Sequence, residues 1–92
     1  MGSLWDTVGY VISSGYRVSV VRRLAATAST PTELASTMGV STTHVSRALG
    51  QLHERNLVTA ATADGRLTRR EYALTRRGES VWETIDANGL AI

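Results

Sequence analysis

The chain has 92 residues, ten arginines and no lysine against eight acids, two histidines and no cysteine. A length of 92 residues makes one domain, 1–92, whose core is small enough to make a partner expected. The missing cysteine excludes disulfides, thiolate metal sites and thiol redox sensing. His44 and His53 fall on one predicted helix, point in different directions and cannot share a metal ion, so neither metal nor cofactor is expected. No apolar run is long enough to span a membrane and no charged-then-apolar leader opens the chain, so a cytoplasmic protein is expected.

Leu4, Trp5, Val8, Val11 and Ile12 recur at helical spacing and predict a first helix over about residues 3–13 with a broad apolar stripe. Ser13, Ser14 and Gly15 interrupt it. Ser14 is placed to cap a second helix with Val18, Val21, Leu24, Ala25 and Ala28 inward and Arg17, Arg22 and Arg23 outward. Thr30 caps a short third helix, with Pro31 at its first position and Glu33 three residues after the cap, the spacing that satisfies free backbone donors reciprocally. Leu34, Ala35 and Met38 form its apolar stripe, and Gly39 can take the left-handed conformation that stops it. Val40 plugs the turn. Ser41 caps a fourth helix that turns Val45, Ala48, Leu49 and Leu52 inward and leaves Thr42, Thr43, His44, Ser46, Arg47 and Gln51 outside. Asn56 suits the left-handed position that closes it. The period then changes to two: residues 57–61 and 67–74 are strand-like, and Asp64-Gly65 between them is a hairpin signal. Thr75 caps a last helix over about 76–87, with Val81, Trp82 and Ile85 on one side.

The order α-α-α-α-β-β-α predicts a mainly α fold with a small β-hairpin, a winged helix-turn-helix. The helix-turn-helix covers about 30–56 and the wing about 57–74. Thr30 to Val58, with its hydroxyl-rich cap followed by His44, Val45, Ser46, Arg47, Leu49, Leu52, Leu57 and Val58, resembles the MarR-like and ArsR-like transcription regulators of archaea and bacteria. Asp64, Gly65 and Arg66 followed by Arg69 and Arg70 resemble the MarR wing, and Leu74-Thr75 followed by Gly78 resembles the approach to that family's last helix. The resemblance spans about residues 14–86, with an archaeal flavour. It implies sequence-specific binding of double-stranded DNA by a homodimer and a role in transcription regulation. The metal and thiol ligands of ArsR sensors have no counterpart.

Charge is unevenly spread. From Ser41 to Arg77 there are seven arginines against three acids, whereas the rest of the chain has three arginines against five acids. The basic field therefore falls on the fourth helix and the hairpin, as a duplex-binding face requires. His44, Arg47 and Gln51 at i, i+3 and i+7 line one face, suited to base and phosphate contacts in a major groove. Ser41, Thr42 and Thr43 supply hydroxyls and free amides at the helix start, where a phosphate can sit, Ser41 mainly as the cap and Thr42 and Thr43 toward DNA, and Ser46 adds a hydroxyl further along the outer face. Arg66, Arg69 and Arg70 are the candidates for the minor groove. Alternation sends Arg69 and Arg70 to opposite faces, so Arg66 and one of those two are expected to engage.

The first helix is not needed to complete a minimal winged helix. Its stripe is therefore covered by the last helix, by a second copy, or by both. The expected dimer interface is Leu4, Trp5, Val8, Ile12, Trp82 and Ile85, on helices 3–13 and 76–87. No enzyme is expected: paired carboxylates in a cleft, a nucleophile with its base, and a glycine-rich phosphate loop are all missing from the pattern. The alternative is a winged helix acting as a protein–protein interaction module in a larger assembly, which has no need to gather arginines on the fourth helix and hairpin.

Overall fold

The computed structural model describes residues 3–62 and 70–91. Five helices, α1 (Leu4–Ile12), α2 (Gly15–Ala26), α3 (Pro31–Met38), α4 (Thr42–Glu54) and α5 (Arg76–Ala87), accompany two strands, β1 (Val58–Thr62) and β2 (Arg70–Leu74). The Asp64-Gly65 turn lies outside the described residues.

Side-chain caps set the helix boundaries. Thr30 Oγ1 accepts from the Glu33 amide at 3.1 Å while a Glu33 carboxylate oxygen accepts from the Thr30 amide at 2.8 Å, closing the expected capping box with Pro31 in the first turn. Ser3 and Asp6 form a second such box at the start of α1, which the apolar stripe alone did not foretell. Gly39 stops α3 at φ 70°, and Asn56 turns the chain out of α4 at φ 61°. Thr75 works twice: its hydroxyl accepts from the Gly78 amide at 3.0 Å and donates to the Asn56 carbonyl at 2.7 Å. That pair of bonds ties the end of α4 to the start of α5.

The core gathers where α2 meets α1, α3, α4, α5 and β2. Val18, Val20, Val21 and Leu24 of α2 are all buried there, with Val45, Ala48, Leu49 and Leu52 of α4, Leu34 and Ala35 of α3, and Val81 and Ile85 of α5. Val20 joins the core, contrary to a one-stripe reading of α2, because that helix has neighbours on more than one side. Ala25 and Ala28, expected inward, are exposed. For Ala28 the reason is that α2 ends at Ala26, beyond which Thr27 is fully extended (φ −165°, ψ 149°). Gly78 is a close-approach glycine: a Cβ there would collide with the Leu57 carbonyl oxygen, so α5 can lie against the exit of α4 only without a side chain.

β1 and β2 pair antiparallel, from Val58 opposite Leu74 to Thr62 opposite Arg70. β1 begins one residue later than the expected 57–61, since the Leu57 carbonyl is taken by the Thr75 amide at 3.0 Å before the ladder begins, and the described part of the expected 67–74, Arg70–Leu74, is strand throughout. Ser29 adds a bridge on the other edge of β2, exchanging bonds with Tyr72 at 3.1 and 2.8 Å. One residue between α2 and α3 thereby protects an edge that would otherwise be open.

Candidate nucleic-acid interface

α4 is pinned from one side. Ser41 caps it by accepting from the His44 amide at 3.5 Å, and its four buried apolar residues lock the helix against α2 and α3. Thr42, Thr43, His44, Ser46 and Arg47 are consequently all exposed, as their positions in the sequence implied. Arg47 makes no hydrogen bond, ion pair or ring contact among the described residues, so its guanidinium keeps all five donors for an external acceptor.

His44 is not a lone surface imidazole. Its ring stacks on Tyr16 with centroids 4.8 Å apart and planes within 6°. Tyr16 stands exposed in the first turn of α2 and brings a second element to the face. The sequence offered only a faint signal for it, an aromatic just after the Ser14 cap, and the spacing of α4 contained nothing to connect the two. A hollow of about 190 Å³ between the helices is lined by Ser14, Tyr16, Arg17, His44, Arg47 and Gln51.

Gln51 departs from expectation. It shares the helical face of His44, but the first turn of α2 covers it: Gln51 is half-buried and its Oε1 accepts from Arg17 Nη1 at 2.9 Å. Its carbonyl end is engaged inside the protein and is withdrawn from the reading face. Arg17, expected outward, is half-buried for the same reason. Its Nε and Nη2 donate to the Tyr10 carbonyl at 2.9 and 2.7 Å, Nη2 also donates to Ser13 Oγ at 2.7 Å, and the guanidinium lies 4.0 Å from the centre of the Tyr10 ring.

On the hairpin, Arg70 is exposed at the first position of β2, while Arg66 and Arg69 lie outside the described residues. Among the described residues no group of three or more histidines and acids could hold a metal ion. No helix among them is long and apolar enough to cross a membrane.

The residues expected at a dimer interface separate into two sets. Val8 (1% exposed) and Ile85 (0%) are spent in the chain's own core, because α1 packs directly on α5, and they leave no surface for a partner. Trp82 is half-buried against that core. Leu4, Trp5 and Ile12 remain uncovered, Trp5 at 59%.

Hydroxyls, an imidazole and an unengaged guanidinium along one helix, flanked by an arginine-bearing hairpin, supply donors and acceptors for base edges and phosphates. Residues 5–88 match the family model described as HVO_A0261 N-terminal domain. No curated protein matches the sequence. Among solved structures, a double mutant of Lactococcus lactis ZitR superposes with a TM-score of 0.79 at 21% identity, covering 83% of this chain and 52% of that one. A MarR family transcription regulator gives a TM-score of 0.74 at 24% identity, over 84% of this chain and 51% of that one. Wild-type Lactococcus lactis ZitR in complex with DNA gives 0.71 at 21% identity, over 83% and 52%. The fold is thus the winged helix of MarR-family structures, and the chain spans about half the length of the solved proteins it matches.

Proposed function

The chain belongs to the HVO_A0261 N-terminal domain family, and from that premise we propose that it is a double-stranded DNA-binding transcription regulator. The observation that carries this reading is the outer face of α4: Thr42, Thr43, His44, Ser46 and Arg47 are exposed together, and Arg47 has no partner within the described chain. α4 enters the major groove, with Arg47 on a guanine edge or a phosphate and the two threonines at the backbone. The hairpin then meets the flanking minor groove through Arg66, which lies beyond the described residues, and Arg70. The similar fold of a protein solved in complex with DNA supports DNA as the ligand.

The protein acts as a homodimer in this reading. Leu4, Trp5 and Ile12 leave an apolar surface on the side of α1 turned away from the core, and a second copy covers it together with Trp82. Two-fold symmetry sets two recognition helices about 34 Å apart, so the bound site is an approximate inverted repeat. The role in this reading is binding rather than catalysis, since among the described residues no hydroxyl of this face is hydrogen-bonded to a side-chain base.

The test is selection of bound duplexes from a random library, followed by fluorescence anisotropy on the selected site. Enrichment of an inverted repeat, lost with Arg47→Ala in a folded protein, supports the reading. Failure to bind any duplex at low salt overturns it.

A further inference from the structure

We propose that Tyr10, Arg17 and Arg55 form a clasp that sets the pitch of α4 and thereby its sequence selectivity, a positioning role that rests on the DNA-binding reading above. Arg17 begins it by capping a different helix. The Tyr10 carbonyl is one of the free acceptors at the end of α1, and it receives Arg17 Nε and Nη2 at 2.9 and 2.7 Å together with the Ser13 hydroxyl at 2.8 Å. A cation at that end also complements the helix dipole. With its remaining arm, Nη1, the same guanidinium reaches α4 at Gln51, 2.9 Å away.

A second attachment lies one helical turn further on. Arg55, the C-cap residue of α4, sets its guanidinium 3.7 Å from the centre of the Tyr10 ring, whose centre also lies 4.0 Å from that of Arg17. One aromatic ring on α1 therefore holds two cations, one from the start of α2 and one from the end of α4. The C-terminal half of α4 is fixed to α1 at Gln51 and at Arg55, while its N-terminal half is steadied by the stack of His44 on Tyr16.

The functional consequence follows from tolerances. Arg47 sits one turn before Gln51, about 6 Å along the axis, so a tilt at the clasp is carried to the reading residues. Contacts to base edges demand placement within about 0.5 Å, whereas flexible arginines follow a phosphate through larger shifts. Loosening the clasp should therefore degrade discrimination between sequences while leaving general affinity for DNA in place. None of the three residues needs to touch a base for this.

Full-length Tyr10→Leu, Tyr10→Phe and Arg55→Gln variants test it against the wild-type chain, on the selected duplex and on a random duplex, across a salt series. Tyr10→Leu is expected to reduce the ratio of selected to random affinity by about tenfold, with random-duplex affinity and salt slope unchanged. Tyr10→Phe keeps the ring and the backbone carbonyl and should match the wild type. Arg55→Gln, at an exposed position, should lose part of the ratio with no change of slope, and it decides the matter if Tyr10→Leu fails to fold. An unchanged ratio in folded Tyr10→Leu, or in Arg55→Gln where that variant decides, overturns the proposal, as does a Tyr10→Phe variant as impaired as Tyr10→Leu. A slope lowered by about 0.9 in Arg55→Gln would instead make Arg55 a phosphate contact and also overturn it. Absence of DNA binding by the wild type would defeat the functional reading itself, a result distinct from normal binding by all three variants.

Discussion

Arg17 and Arg47 carry the same side chain on neighbouring helices, and both are outward by helical spacing, yet they stand in opposite states. Arg17 spends all three guanidinium nitrogens on the Tyr10 carbonyl, the Ser13 hydroxyl and Gln51, and rests on an aromatic ring. Arg47 is exposed and spends none within the described chain. The corner around Arg17 is thus a joint, and the face around Arg47 is a surface with unused capacity. An arginine's place on a helix says which way it leaves the backbone. Whether its donors are already taken depends on the element that crosses it.

The exposed face of α1 extends the comparison to apolar groups and carries the largest expected effect. Trp5 is 59% exposed, so Trp5→Glu should leave the helical content of the single chain unchanged. With a dimer bound across two half-sites, loss of pairing removes the second reading helix, and affinity for the inverted repeat should fall by about 100-fold or more. Sedimentation equilibrium at micromolar concentration should show the mass halved. A wild-type monomer that binds one copy per site would break the homodimer reading.

Arg47→Ala comes next. Because the side chain has no partner in the described chain, unfolding free energy should move by less than about 0.5 kcal/mol, whereas affinity for the selected duplex should drop by about 1–3 kcal/mol. Thermal denaturation and anisotropy measure the two halves. A folded mutant with full affinity removes Arg47 from the interface and erases the contrast with Arg17.

Arg17→Ala should differ by costing stability as well as selectivity. Removing a guanidinium that caps α1 and bridges to α4 should cost about 1.5 kcal/mol of folding stability, discounted for partial exposure, and lower the melting temperature by roughly 6–12 °C. An unchanged melting temperature would mean that water replaces these bonds without loss, and the joint would be no joint.

Much of this was written locally in the sequence. The Thr30–Glu33 capping box, Gly39 and Asn56, the Thr75 cap and the order of helices and strands all follow from side chains acting on backbone within a few residues of themselves, and the outward set from Thr42 to Arg47 follows from the period of α4. What escaped depends on elements distant in the chain. Gln51 has the spacing of a reading residue, yet its Oε1 is held by Arg17, 34 positions away. Tyr16 joins the face only because α2 begins beside α4. Val8 and Ile85 belong to an apolar stripe whose pattern is the same whether α5 or a second copy covers it, and here α1 and α5 of one chain cover each other. The Ser29 bridge to Tyr72 has no periodic signature, being one residue long.

The smallest effect tests whether the hairpin belongs with the free face or the joint. Arg70 is exposed at the start of β2, opposite Thr62 on β1, and it has no partner among the described residues. By that measure it resembles Arg47 more than Arg17. Its place differs in kind, because a strand arginine at the outer part of a hairpin meets the sugar–phosphate rim and has no fixed base edge to grip. Arg70→Ala should accordingly weaken selected and random duplexes alike, by a few-fold at moderate salt, and reduce the slope of log affinity against log salt by about 0.9, the amount for one lost phosphate neighbour. Melting temperature should not move, since nothing inside the described chain is released. If only the selected duplex lost affinity, Arg70 would be reading sequence in the groove. If neither affinity nor slope changed, Arg70 would stand clear of DNA, and the contribution of the hairpin would rest on Arg66 or Arg69, which the salt slopes of their own alanine variants would reveal.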